Sequence, residues 1–169
     1  MISLSRLNSC SRDEFVSAVG SVFEHSPWIA AATWAQKPFA GVAQLHAALC
    51  ETVRCAGEEK QLALIRAHPD LVGRTARAGA LTRESANEQA GAGLNRLSAE
   101  EFAWFQKNNA AYRDKFGFPF VICARLNKKE AMVKGLTARL LNSREQEIKT
   151  ALEEIFKIAE FRLRDLIAN

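Results

Sequence analysis

Three parts of the chain combine residue types and spacings that suit proton transfer and the binding of an anion. The first is His68-Pro69-Asp70-Leu71. A proline disfavours the α conformation in the residue before it, so a helix through Glu58 to Ala67 should stop near His68. The imidazole then stands at the end of a rigid element, where a loop begins. It can take or give a proton near neutral pH. A histidine that merely complements the dipole at a helix C-terminus fits the same position.

The second part is Ser85, Glu88 and Gln89, spaced i, i+3 and i+4, so that a helix brings them onto one face. A hydroxyl, a carboxylate and an amide projecting together suit a polar ring with several N–H and C=O groups. The alternative is an ordinary solvated face, although Ala86 and Ala90 give this short helix little core-forming surface. The third part is Arg162, three residues after Ala159 and four before Leu166, close to the apolar stripe of the last helix. Arginine rarely goes inside without an anionic partner. That partner is either a structural carboxylate or a substrate carboxylate held by the guanidinium fork. Arg164 points elsewhere and should be solvated. The run Phe118-Pro119-Phe120-Val121-Ile122 either packs as core or, as an extended segment among helices, presents backbone N–H groups to a ligand.

Other chemistries lack their signatures. His25 and His46 lie in unrelated contexts, and no H-x-x-x-H or H-E-x-x-H pairing is present, so no metal site is expected. G-x-x-x-x-G-K-[ST], G-x-G-x-x-G and G-x-S-x-G are all missing, which removes the motif support for nucleotide binding and acyl transfer. The net charge of +4 is scattered rather than gathered into a basic stripe, so nucleic acid is not an expected partner. The same modest excess suits a small anionic substrate. The four cysteines form no C-x-x-C pair and read as free, mostly buried thiols. No apolar run reaches eighteen residues, and Arg6 and Arg12 interrupt any secretory pattern, so neither a membrane partner nor a leader is expected and the location should be cytoplasmic.

The elements that must position these residues are almost all helical. Ser11/Glu14, Ser98/Glu101 and Ser143/Gln146 are capping boxes that start three helices. Pro27 opens a short helix, Val42 to Val53 carries a helical stripe, and Thr82 to Ala90 forms the helix of Ser85 and Glu88. The helix after Ser98 places Phe102, Phe105, Asn109, Tyr112 and Phe116 on one side. Asn127 is placed to cap a helix with Val133, Leu136 and Leu140, and the last helix carries Ile148, Leu152, Ile155, Ala159 and Leu163. Asp70 to Leu81 reads as a loop. The expected fold is an all-α, single-domain bundle over residues 1–169, with about eight helices and one short extended segment at 118–123.

With these pieces in place, the chain resembles the OHCU decarboxylases, which act on 2-oxo-4-hydroxy-4-carboxy-5-ureidoimidazoline in urate breakdown. The resemblance rests on Phe23-Glu24-His25-Ser26-Pro27-Trp28, His68-Pro69-Asp70-Leu71, SANEQAGAG from Ser85, NAAYRDKFGFPFVI from Asn109, and Ile158-Ala159-Glu160-Phe161-Arg162-Leu163, in the family's order. It implies that His68 and Glu88 are catalytic. It further implies that Ser85, Gln89 and Arg162 bind substrate, and that Pro69, Phe120, Val121 and Ile122 line the pocket. It also implies an all-helical homodimer without cofactor that forms (S)-allantoin and CO2. Arg125-Leu126 departs from the pattern, since many members have a glycine soon after the Phe-Pro-Phe-Val run. A second reading is a non-catalytic helical domain that binds an anionic ligand or a partner's acidic side chain through the same pocket. Ligand binding without turnover would distinguish it.

Overall fold

The computed structural model describes residues 1–72 and 81–168. Among them are nine α-helices: α1 (Leu4–Ser9), α2 (Arg12–Val19), α3 (Trp28–Thr33), α4 (Val42–Arg54), α5 (Glu58–Ala67), α6 (Arg83–Gly91), α7 (Ala99–Phe116), α8 (Lys129–Arg139) and α9 (Arg144–Leu166). The fold is all-α, as the periodicities require. The helix beyond the eight expected is α1, which is capped by Ser3 accepting from the Arg6 N–H at 3.2 Å. A two-residue parallel ladder, β1 (Ile2–Ser3) with β2 (Ile167–Ala168), joins the ends of the chain. The segment 118–123 is extended but belongs to no ladder.

All three capping boxes form. Ser11 and Glu14 exchange backbone and side-chain bonds, as do Ser98 and Glu101. Ser143 Oγ accepts from Gln146 N at 3.2 Å while Gln146 Oε1 accepts from Ser143 N at 2.9 Å. Such caps satisfy amides that have no intrahelical partner, and each is worth about 1 kcal/mol. Asn127 does not cap α8. Its amide turns back to donate to the Cys123 carbonyl, and Lys128 occupies the N-cap position with no side-chain bond.

The chain divides into two compact units, Met1–Ala67 with Phe156–Asn169, and His68–Ile155. In the first, α3 packs against α2 and α4. Leu7, Phe15, Ile29, Leu45, Leu49, Val53, Ile65 and Leu163 are fully buried there. Each such side chain contributes ~1.5–3 kcal/mol by leaving water. In the second unit, Tyr112 meets Phe116, Phe118 and Phe120 with ring centroids 4.6, 6.1 and 5.4 Å away. The extended segment is thus core on its aromatic side. Its backbone is held by side chains instead of a neighbouring strand: Arg139 Nη1 donates to the Val121 carbonyl at 2.7 Å, and Cys123 N donates to Glu154 Oε2 at 2.8 Å. Among the described residues no helix is long and apolar enough to cross a membrane.

Candidate active site

Helix α5 ends at Ala67, one residue before His68, where Pro69 requires it to stop. His68 is 5% exposed, whereas His25 is exposed and His46 is half-buried with its Nε2 2.8 Å from the Phe156 carbonyl. His68 is thus the one histidine taken inside.

The buried residues of α6 are Ser85, Glu88 and Gln89. This outcome excludes a solvated face, and no apolar side chain of the helix is buried beside them. Burying polar groups is unfavourable unless they are hydrogen-bonded, so a helix whose inner face is a hydroxyl, a carboxylate and an amide is not built for packing alone. Thr82 caps α6 by accepting from Ser85 N at 3.3 Å.

Gln89 connects α6 to the segment that follows His68. Its Oε1 accepts from Val72 N at 3.0 Å and its Nε2 donates to the Asp70 carbonyl at 3.4 Å. Both ends of the amide therefore grip backbone. Asp70 in turn accepts from Arg113 Nε at 2.9 and 3.0 Å, and Asn109 Nδ2 donates to the Leu71 carbonyl at 2.7 Å. The expected loop from Asp70 to Leu81 is described here only to Val72 and at Leu81; residues 73–80 lie outside the described residues.

Glu88 also borders a cavity of about 580 Å³ whose other polar lining includes Asn87, Arg125, Asn127 and Lys128. The size suits a small molecule. The cations Arg125 and Lys128 give it a positive rim. The Arg125-Leu126 departure is absorbed by a 3-10 turn at Ala124–Leu126 that needs no positive φ, hence no glycine. Burial, opposed by nearby backbone N–H groups and reinforced by the charges of Glu154 and Glu88, raises the Cys123 thiol above its usual range.

Arg162 belongs to the other unit. It is 4% exposed, as its place near the apolar stripe requires, and Arg164 is exposed. Its Nη1 donates to Glu24 Oε2 at 3.0 Å and to the Val22 carbonyl at 3.4 Å. Of the two partners that the sequence allows, a structural carboxylate is present. Glu24 escaped the reading of spacing because it precedes a turn, at His25 (φ 45°), and shares no helical face with other polar residues. Among the described residues no group of three or more His, Cys, Asp or Glu side chains is placed to hold a metal ion.

Fold and buried polar residues together define the class: an all-helical protein with a buried histidine, a helix whose buried face is Ser85, Glu88 and Gln89, and a separately buried arginine. The family model for OHCU decarboxylase matches residues 8–164. A 2-oxo-4-hydroxy-4-carboxy-5-ureidoimidazoline decarboxylase of Amia calva is 44% identical over 164 residues, covering 97% of this chain and 94% of that one. The protein of the same name from Halalkalicoccus jeotgali is 42% identical, covering 98% and 92%. The crystal structure of an (S)-allantoin synthase superposes with a TM-score of 0.79 at 30% identity, covering 99% of this chain and 54% of that one, so the chain spans about half of that protein. The chain belongs to the OHCU decarboxylase family.

Proposed function

We propose that the protein decarboxylates 2-oxo-4-hydroxy-4-carboxy-5-ureidoimidazoline to (S)-allantoin and CO2, with His68 and Glu88 as the catalytic pair. The observation that carries the roles is the burial of a hydroxyl, a carboxylate and an amide as the inner face of α6, with Gln89 bonded to the segment that His68 begins. Membership of the family supports the reaction.

The substrate supplies its own electron sink. As the C4–carboxylate bond breaks, its electron pair becomes a C4=C5 double bond, and the pair of the C5=N bond passes to the ring nitrogen, which takes a proton. The enol so formed gives its hydroxyl proton to a base and receives a proton at C5. Delivery to one face yields a single enantiomer. His68 is the candidate for the hydroxyl proton, oriented with help from Glu88. Ser85 is the candidate to bond the ring, and Pro69 and the Phe120, Val121 and Ile122 backbone are the candidates to line the pocket. Arg162 is the candidate anion-binding side chain, already oriented by Glu24. Gln89 is a further candidate substrate ligand, and both ends of its amide also hold backbone. The scheme uses no cofactor. A homodimer in the cytoplasm is the proposed working form, and sedimentation would give its mass.

The test is direct. The unstable substrate is generated in situ from urate by oxidation and ring hydrolysis, and allantoin is followed by circular dichroism. Accelerated formation of one enantiomer supports the reading. Racemic product at the uncatalysed rate would sink it, and binding without turnover would favour a non-catalytic domain.

A further inference from the structure

Val72, four residues after His68, has φ 56°. A β-branched residue in the left-handed region is strained, and such strain persists only where surrounding contacts impose it. Side chains of α6 and α7 impose it here. Gln106 Nε2 donates to the Val72 carbonyl at 2.7 Å, and Gln89 Oε1 accepts from its N–H at 3.0 Å. Asn109 Nδ2 holds the Leu71 carbonyl at 2.7 Å, and Arg113 holds the Asp70 carboxylate. Gln106, Asn109 and Arg113 follow at i, i+3 and i+7, one face of α7. Three consecutive residues after Pro69 are thereby fixed at backbone or side chain.

Asn109 makes the purpose of the ladder plain. It is 4% exposed, and donation to Leu71 fixes which way its amide points. Its Oδ1 is left buried without a hydrogen-bond partner among the described residues. An unsatisfied buried acceptor is unfavourable, and an apolar side chain would avoid it. The position therefore retains the amide for its donor, against that cost and against the strain at Val72.

We infer that Gln106 and Asn109, with Arg113 beside them, are positioning residues that set the His68 imidazole by locking the backbone of Asp70 to Val72. The inference rests on His68 being the acting group of the proposed decarboxylation. Misplacing a catalytic group by about 1 Å costs on the order of 10²-fold in rate.

Asn109→Asp and Gln106→Glu test it, each exchanging a donor for a carboxylate of the same shape that faces a carbonyl. Each variant should lose about 10- to 100-fold in kcat with KM within about twofold. The variant-to-wild-type ratio should climb as pH is lowered from 8 to 5, because a protonated carboxyl again donates to the carbonyl. Asn108→Asp, on the same helix but bonded to the Trp104 carbonyl, should behave as wild type. NMR of the three histidine side chains gives a readout independent of turnover: His68 should shift or broaden in both variants, with His25 and His46 unchanged. Unaltered His68 signals, or kcat within about twofold of wild type in both folded variants, would overturn the inference. If the wild type itself fails to turn over, the proposed function falls, and the His68 spectra alone decide the positioning role. Gln106→Glu, at a half-buried site, keeps the test available if Asn109→Asp does not fold.

Discussion

Arg162 Nη1 sits 3.0 Å from Glu24 Oε2, with 4% and 2% of the two side chains exposed. Removing one member of a buried ion pair leaves a charge uncompensated, at a cost of ~3–5 kcal/mol, whereas replacing both members is often near neutral. Glu24→Gln and Arg162→Met are therefore each expected to lower stability by about 3–5 kcal/mol in urea unfolding. The double variant should cost far less than the sum. Additive losses would show that the two side chains are not coupled.

His68→Asn and Glu88→Gln keep shape while removing proton transfer. Each should lower kcat by about 10²–10⁴-fold and leave the helical circular dichroism unchanged. Near wild-type rates in both would refute the assigned roles.

Local chemistry makes much of this legible in the sequence. Pro69 dictates the end of α5 at Ala67, and the three capping boxes depend on residues three apart, so both could be read directly. The burial of Arg162 follows from its register in α9; spacing puts Ser85, Glu88 and Gln89 on one helical face but leaves a solvated face open, and only their burial excludes it. What escaped was long-range. Glu147 looks like a first-turn acid complementing the helix dipole, yet it is fully buried because Tyr112, thirty-five residues earlier, and Arg139 bond to it. Asn109 stood out as the one amide on an aromatic face, but its target, the Leu71 carbonyl, lies 38 residues away. Gln89 holds the Val72 N–H and the Asp70 carbonyl, seventeen and nineteen residues away, and no spacing rule shows those partners. The β1–β2 ladder has two residues per strand and carries no periodicity to detect.

The thiols should separate cleanly. Cys10, Cys50 and Cys123 are buried and Cys55 is exposed. One thiol per native chain is expected to react with a disulfide reagent, and all four after unfolding. Cys55 should itself be slow near neutral pH: its S–H donates to Glu51 Oε1, and this bond, with the carboxylate's charge, raises the thiol above its usual range. The thiolate is the reactive form. Glu51→Gln should speed labelling of Cys55 and leave the buried thiols protected, as mass spectrometry of labelled peptides would show.

Tyr112 is the one tyrosine of the chain, so its ionisation can be followed without overlap from another phenol. Burial raises it well above the usual 10.0; the Arg139 charge opposes this, and donation to Glu147 adds to the rise. A group whose folded pKa lies above its unfolded value stabilises the fold fully below the unfolded pKa and loses that contribution as pH rises through the folded one. Stability should therefore be insensitive to this group below about pH 10 and fall above it, where the unfolded chain ionises first. Tyrosinate absorbance should appear together with loss of helical circular dichroism rather than before it. Tyr112→Phe removes the bond to Glu147, which keeps Arg139 Nε at 2.8 Å and Asn142 Nδ2 at 2.6 Å. The variant should lose about 1.5–3 kcal/mol at neutral pH, the worth of a hydrogen bond to a charged group, and its alkaline decline should be shallower. Tyrosinate forming near pH 10 in the still-folded wild type would contradict the buried bond.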